Sequence, residues 1–212
     1  MPLTLDQKAE IARSAGELFM QYGIKSITMD DLARHLSISK KTIYQHYSDK
    51  KELVAHATRA MLEHERDECE QMFANAPDAI AEIHALSQYM RSHILKVNPS
   101  LFLDLQRYYK DGYKIYMEYK EKVFLKLIHD SLVRGQEEGF FRASINPQIL
   151  ARLRNEEIQL AFEYQVFPRD KFDFQEVQLQ LFDHFVHGII TEKGRKQLQA
   201  YLNTIPSNES SQ

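Results

Sequence analysis

Apolar side chains recur every three or four residues along almost the whole chain, and that period admits little but helix. Ile11, Ala15, Leu18, Phe19 and Tyr22 stand at i, i+4, i+7, i+8 and i+11. Leu32, Ala33 and Leu36 form the inner face of a short second segment, and Leu53, Ala57 and Met61 the seam of a longer one. Only seven Gly and six Pro interrupt 212 residues, which excludes a turn-rich all-β chain. The fold class read from this pattern is all-α.

The punctuation gives the boundaries. Gly23 follows Tyr22 and suits a left-handed helix cap. Gly16, inside that helix, costs about 1 kcal/mol relative to Ala, which a close backbone approach can offset. Thr28 caps a short helix whose first turn holds Asp30 and Asp31. Ser37-Ile38 is a turn, and Ser39 caps the next short helix. Asp49 and Glu52 have the spacing of a capping box opening a longer helix. Asn75-Ala76-Pro77-Asp78 and Asn98-Pro99-Ser100 are breaks. The stretch 101–138 reads as helical, interrupted at most by Asp111-Gly112. Another helix runs from Pro147 to about Val166, and a last long one covers about 174–191 with a helical tail to about Leu202. The polar end, 206–212, is expected to fray.

Two short helices joined by a tight turn, behind a longer supporting helix, describe a helix-turn-helix, whose second helix enters the DNA major groove. The charge distribution agrees. The chain as a whole carries a net −3, but the window from Arg34 to Lys51 holds five bases against the single acid Asp49. Residues 1–55 hold eight bases against seven acids, and the remainder nineteen against twenty-three. Lysine ammoniums and helix N-terminal amides are what phosphates require. Thr42, Tyr44, Gln45 and His46 add groups able to reach bases or backbone. The alternative is a solvated helical hairpin. Against it stand the apolar Ile43 within a short polar helix and the bulky Tyr44 and Tyr47.

The run from Thr28 to Leu53 resembles the N-terminal signature of the TetR (tetracycline repressor) family of transcription regulators. The resemblance is dense over about residues 8–55. Further on it rests on length, helical order and the phrase Gly135-Gln136-Glu137-Glu138-Gly139-Phe140-Phe141-Arg142. It implies an N-terminal three-helix DNA-binding domain, residues 1–48, and a C-terminal helical ligand-binding and dimerisation domain, residues 49–212, with 49–73 as linking helix. By position, Thr28 matches the residue that caps the first motif helix and meets a phosphate. Ser39 caps the reading helix, and Lys40, Lys41, Thr42 and Gln45 occupy its base-reading side. Tyr44 and His46 match phosphate-contacting residues, and Lys50 the lysine that holds the DNA backbone. Two positions depart from the family pattern. Ser37 stands where glycine is common, so a left-handed backbone there is strained, and Lys41 stands where a small residue is common.

The C-terminal half is aromatic. Tyr109, Tyr113 and Tyr116 share one helical face, flanked by Met117, with Phe102 before them and Phe162 further on. Tyrosines offer apolar walls with polar tips, which suits a pocket for a small amphipathic ligand. Core packing is the other reading of the same stripe. The family holds its inducer in this half. Val177, Leu181, Phe185 and Gly188 form a seam at i, i+4, i+8 and i+11, and in the family the last two long helices pair across a two-fold axis. The same seam also reads as intrachain core.

Other functions lack their residues. Cys69 is the only cysteine and sits among acids, so no disulfide framework, all-cysteine metal site or reactive thiolate is expected. His184 and His187 lack the further ligands of a tetrahedral site. There is no glycine-rich phosphate loop, cofactor motif or nucleophile elbow. No long apolar run marks a membrane span, and no apolar leader follows Met1, so a cytoplasmic location is expected. The expected partners are an operator duplex, a second copy of the chain and a small-molecule effector. The family default is repression, with activation the alternative. Competing readings are a helical ligand-binding module that has lost DNA binding, or a small helical enzyme. The enzyme has no acid–base or nucleophile constellation to work with.

Overall fold

A computed structural model describes residues 5–93 and 96–203. The expected fraying end, 206–212, lies outside the described residues. In order, the helices are α1 (Leu5–Tyr22), α2 (Met29–His35), α3 (Lys40–His46), α4 (Lys50–Asn75), α5 (Ala79–Ser92), α6 (Ser100–Tyr108), α7 (Lys110–Tyr119), a π-helical turn (Lys120–Phe124), α8 (Leu125–Glu137), α9 (Pro147–Leu160), α10 (Phe174–Ile189) and α11 (Glu192–Asn203). Among the described residues there is no strand, only an isolated bridge between Phe141 and Ile190. No described helix is long and apolar enough to cross a membrane.

The chain divides into two compact units, Met1–Glu68 with Lys96–Val123, and Cys69–Leu95 with Phe124–Gln212. This differs from the division expected at residue 48. The reason is that α6 and α7, distant in sequence, pack with the first three helices. In the first unit Ile11, Phe19, Leu32, Ile43, Leu53 and Leu105 meet in one core. Gly16 earns its place: a Cβ there would stand 2.7 Å from Met61 Cγ, so α1 and α4 approach closely. The amide of Asn98 donates to the Met20 carbonyl at 2.6 Å, and that of Lys25 to the buried Asp104 at 3.0 Å.

The second unit is built on Ile80, Ile83, Leu132, Phe141, Phe182 and Val186. Arg134 ties its corner, pairing with the nearly buried Glu82 at 2.6 Å and with Glu138 at 2.8 Å, and donating to the Ala76 carbonyl. Gly135 has no room for a side chain, because a Cβ would lie 2.0 Å from the Phe141 ring.

Several boundaries differ from expectation. The stretch 101–138 breaks at Tyr109 (φ −126°, ψ 68°), not at Asp111-Gly112. Gly112 is inside α7, buried where a Cβ would press on Leu105 at 2.8 Å and Thr58 at 3.2 Å. α9 stops at Leu160 rather than near Val166, and a separate small core of Ala161, Phe174 and Val177 takes over. Pro77-Asp78 opens α5 as expected, but Asp78 is its cap rather than a first-turn residue.

Candidate nucleic-acid interface

The motif is held by its caps. Thr28 and Asp31 form a reciprocal box: the Asp31 amide donates to Thr28 Oγ1 at 3.1 Å, and the Thr28 amide donates back to Asp31 Oδ2 at 2.9 Å. The Thr28 hydroxyl donates to the same carboxylate at 2.6 Å. These bonds hold the Asp31 carboxyl below its ordinary range. Ser39 caps α3, accepting from the Thr42 amide at 3.0 Å, and the two hydroxyls pair at 2.8 Å. Such a cap is worth about 1 kcal/mol to a helix too short to persist alone. Between the helices the chain turns at Ser37, whose φ of 55° lies in the left-handed region favoured by glycine. At the start of α4 the amide of Glu52 donates to Asp49 at 2.8 Å, while its own carboxylate reaches Ser48 rather than Asp49.

α3 has two faces. Ile43 and, just beyond, Tyr47 are fully buried, one turn apart. The Tyr47 hydroxyl donates to the Lys8 carbonyl at 2.7 Å, and burial pushes its pKa up to about 12. The opposite face carries Lys40, Lys41, Tyr44 and Gln45, all exposed. That pattern follows from helical spacing, since 40, 41, 44 and 45 share one side. The helix is fixed by its apolar side and presents cations, a phenol and an amide on the other. Lys40 leans on Asp30 at 2.8 Å, which raises its pKa.

Two expected contacts sit differently. Lys50 turns inward: its ammonium donates to the carbonyl oxygens of Ile24 at 2.6 Å and of Ile27. It also lies over the rings of Phe19 and Tyr109. Burial lowers its pKa, with Asp104 and Asp31 opposing. Two of its three donors are thus spent on carbonyls of the loop 23–28, where Ile24 otherwise accepts only a long bond, 3.4 Å, from the Ile27 amide. His46 is half-buried and meets Gln7 of α1 at 3.2 Å.

The expected ligand residues fall in both units. Phe102, Tyr109, Tyr113, Tyr116 and Met117 belong to the first unit, and Phe162 to the second. Phe102 is buried with Tyr113 and Tyr116 edge-on at 5.9 and 5.3 Å, and Tyr109 and Tyr113 lean on the N-terminal core. Phe162 packs on Phe174 at 4.8 Å. The second unit instead contains a pocket of about 120 Å³. None of those six residues lines it. Its walls include Ile83, Met90, Ile128, Phe141, Phe182 and Phe185, and its polar groups are Ser131, Gln178 and Arg154. Arg154 falls three residues after Ala151 and four before Ile158, on the face of α9 that is buried.

The expected interface seam is divided. Val177 is buried within the chain, and Phe185 contributes to the pocket. Gly188 is exposed, with open space where a Cβ would stand. The buried face of α10 is Phe174, Val177, Gln178, Phe182, Val186 and Ile189. On α9 the outward residues Ile149, Leu153 and Leu160 are 64%, 50% and 36% exposed.

Residues 10–57 match the sequence model for bacterial regulatory proteins of the tetR family. Among curated proteins none matches. Solved structures resemble most of the chain. A putative transcriptional regulator from Saccharomonospora viridis, in complex with choline, is 18% identical with a TM-score of 0.68, over 89% of this chain and 100% of that one. The reduced form of E. coli NemR is 15% identical with a TM-score of 0.66, over 87% and 98%. The regulatory protein TetR from Rhodobacter sphaeroides is 14% identical with a TM-score of 0.68, over 88% and 100%. Residues 10–57 thus carry the sequence pattern of the tetR family over the helix-turn-helix, and the fold of nearly the whole chain is the one found in these solved regulators.

Proposed function

We propose that this chain is a sequence-specific repressor that binds a palindromic operator as a homodimer and is released by a small-molecule effector. The observation that carries the reading is the exposed face of α3. Lys40, Lys41, Tyr44 and Gln45 are presented together while Ile43 and Tyr47 anchor the helix from behind. Lys41, Tyr44 and the α3 N-terminus serve phosphates, and Gln45 and Thr42 read base edges. Thr28 and Ser39 set the helix ends, His46 borders the surface, and Lys50 holds the loop behind it.

An operator with two half-sites calls for a two-fold protein, its reading helices about 34–36 Å apart. The outward apolar stripe Ile149, Leu153 and Leu160 of α9, beside the half-buried Leu181 and Phe185 of α10, supports pairing of two copies through these helices. The pocket of the second unit supports an effector site. α4 carries the backbone across residue 68, from one unit into the next, and is the element through which occupancy would alter the spacing of the heads. An effector shifts DNA affinity only as far as it prefers the released arrangement.

The test is titration of purified protein against duplexes from the DNA beside its own gene, at two salt concentrations, with a scrambled duplex as control. Tight, selective binding that falls steeply with salt is expected. Equal weak binding to every duplex would favour a helical ligand-binding module without a DNA role.

A further inference from the structure

We infer that the pocket of the second unit takes a small amphipathic monocarboxylate, with its carboxylate on the guanidinium of Arg154 and its apolar body against the surrounding side chains. The inference rests on reading this pocket as the effector site.

Arg154 is 4% exposed and lines the pocket. Its guanidinium lies 5.2 and 5.7 Å from the ring centres of Phe182 and Phe185, which fix the plane of the fork. It forms an ion pair with Glu157, whose Oε2 stands 3.6 Å from Nη1, beyond hydrogen-bonding distance, and Nη1 finds no hydrogen-bond partner within the protein. Glu157 is not among the pocket's walls. A buried guanidinium is costly unless it is both paired and hydrogen-bonded. A carboxylate in the pocket supplies a bidentate, charge-assisted partner where the local dielectric strengthens it.

The surroundings restrict the class further. The pocket has no second cationic side chain and Glu157 already faces Arg154 from outside it, so a monoanion adds less uncompensated charge than a dianion such as phosphate. An organic cation meets Arg154 as a like charge. Most of the wall is apolar, with Met90, Ile128 and Phe141 among its side chains, so the rest of the ligand must be hydrocarbon. The volume of about 120 Å³ sits near that of an apolar cavity known to accept benzene, about 150 Å³. One aromatic ring or about six aliphatic carbons fills it.

The experiment is calorimetric titration of the full-length protein with benzoate and hexanoate, against benzyl alcohol, hexanol and choline. In the wild type the carboxylates are expected to bind about tenfold or more tighter than the matched alcohols, and choline not to bind. Arg154→Met, checked for folding by thermal melting, is expected to remove that preference while leaving the alcohols within about threefold. Arg154→Lys, which keeps the charge without the fork, is expected to fall between. Alcohols binding as tightly as the acids, or no binding of the acids to wild type, would overturn the inference without a variant being needed. A repeat with operator DNA separates it from the broader reading. Acids that bind selectively but leave DNA bound would sink release by effector and leave the pocket assignment standing. Release by an uncharged compound would do the reverse.

Discussion

The ammonium of Lys50 donates to the carbonyl oxygen of Ile24 at 2.6 Å, twenty-six residues back along the chain. With a second bond to Ile27, this lysine closes the loop between α1 and α2 and sets the start of α4. Lys50→Met removes charge-assisted bonds to two carbonyls and should destabilise the first unit by about 2 kcal/mol, measured by urea unfolding. The salt dependence of DNA binding should be unchanged. A slope lower by one phosphate would return Lys50 to the DNA backbone.

The exposed face of α3 separates two kinds of contact. Lys41→Ala should weaken all duplexes alike and lower the salt slope by about one unit. Gln45→Ala should cost about 1–3 kcal/mol at one base pair of the operator and little on scrambled DNA. Equal losses on every sequence from Gln45→Ala would show that it reads no base.

Ser37 holds φ at 55°, where a Cβ is strained. Ser37→Gly should stabilise the protein by about 0.5–1 kcal/mol with operator affinity kept. Lower stability in chemical denaturation would mean that the serine side chain compensates its own strain.

Leu153 lies on the outward side of α9, half exposed, whereas Val177 is buried in the chain's own small core. Leu153→Asp should give a folded monomer by light scattering with unchanged helical circular dichroism. Val177→Asp should instead lose the fold, since it buries a charge. A Leu153→Asp protein that stays dimeric would move the interface off α9.

His56 packs against the Tyr47 ring, centroids 5.4 Å apart, and burial lowers its pKa from the ordinary 6.5, with Lys8 adding to the effect and Glu52 opposing. Below pH 6.5 the unfolded chain therefore takes up this proton before the folded one does. Stability should fall as pH drops from 7 to about 5, and His56→Gln should flatten that decline. A decline of the same steepness in the variant would assign it to other groups.

What could be read from sequence was what depends on neighbours a few residues apart. The caps at Thr28 and Ser39 and the alternation of Ile43 with Tyr44 are local relations, and all appear in the structure, while the box expected of Asp49 and Glu52 forms in one direction only. The left-handed turn at Ser37 was legible from a substitution at one position. The inward turn of Lys50 was not, because its acceptors lie in a loop whose path depends on α1 and α2 packing first. The tyrosine stripe was visible, but whether an aromatic face closes a core or opens a pocket depends on what packs on it. Phe102 meets Tyr113 and Tyr116 edge-on, a contact across helices that spacing within one helix does not disclose. Arg154 stands among the charges Arg152, Glu156 and Glu157, and only its register with Ala151 and Ile158 sets it apart.

The bond from the Lys25 amide to Asp104 also bears on how the molecule is made. A ribosome releases the chain in order, so the reading helix emerges before the segment that supplies Asp104. The stretch 69–95, belonging to the other unit, follows before Lys96–Val123 arrives to complete the first. At about 5–20 residues per second that interval is on the order of several seconds. Throughout it the nascent head lacks the Asp104 carboxylate and the Leu105 side chain that its finished core contains. The head that carries the reading surface is therefore completed only after a stretch of the other unit has been synthesised.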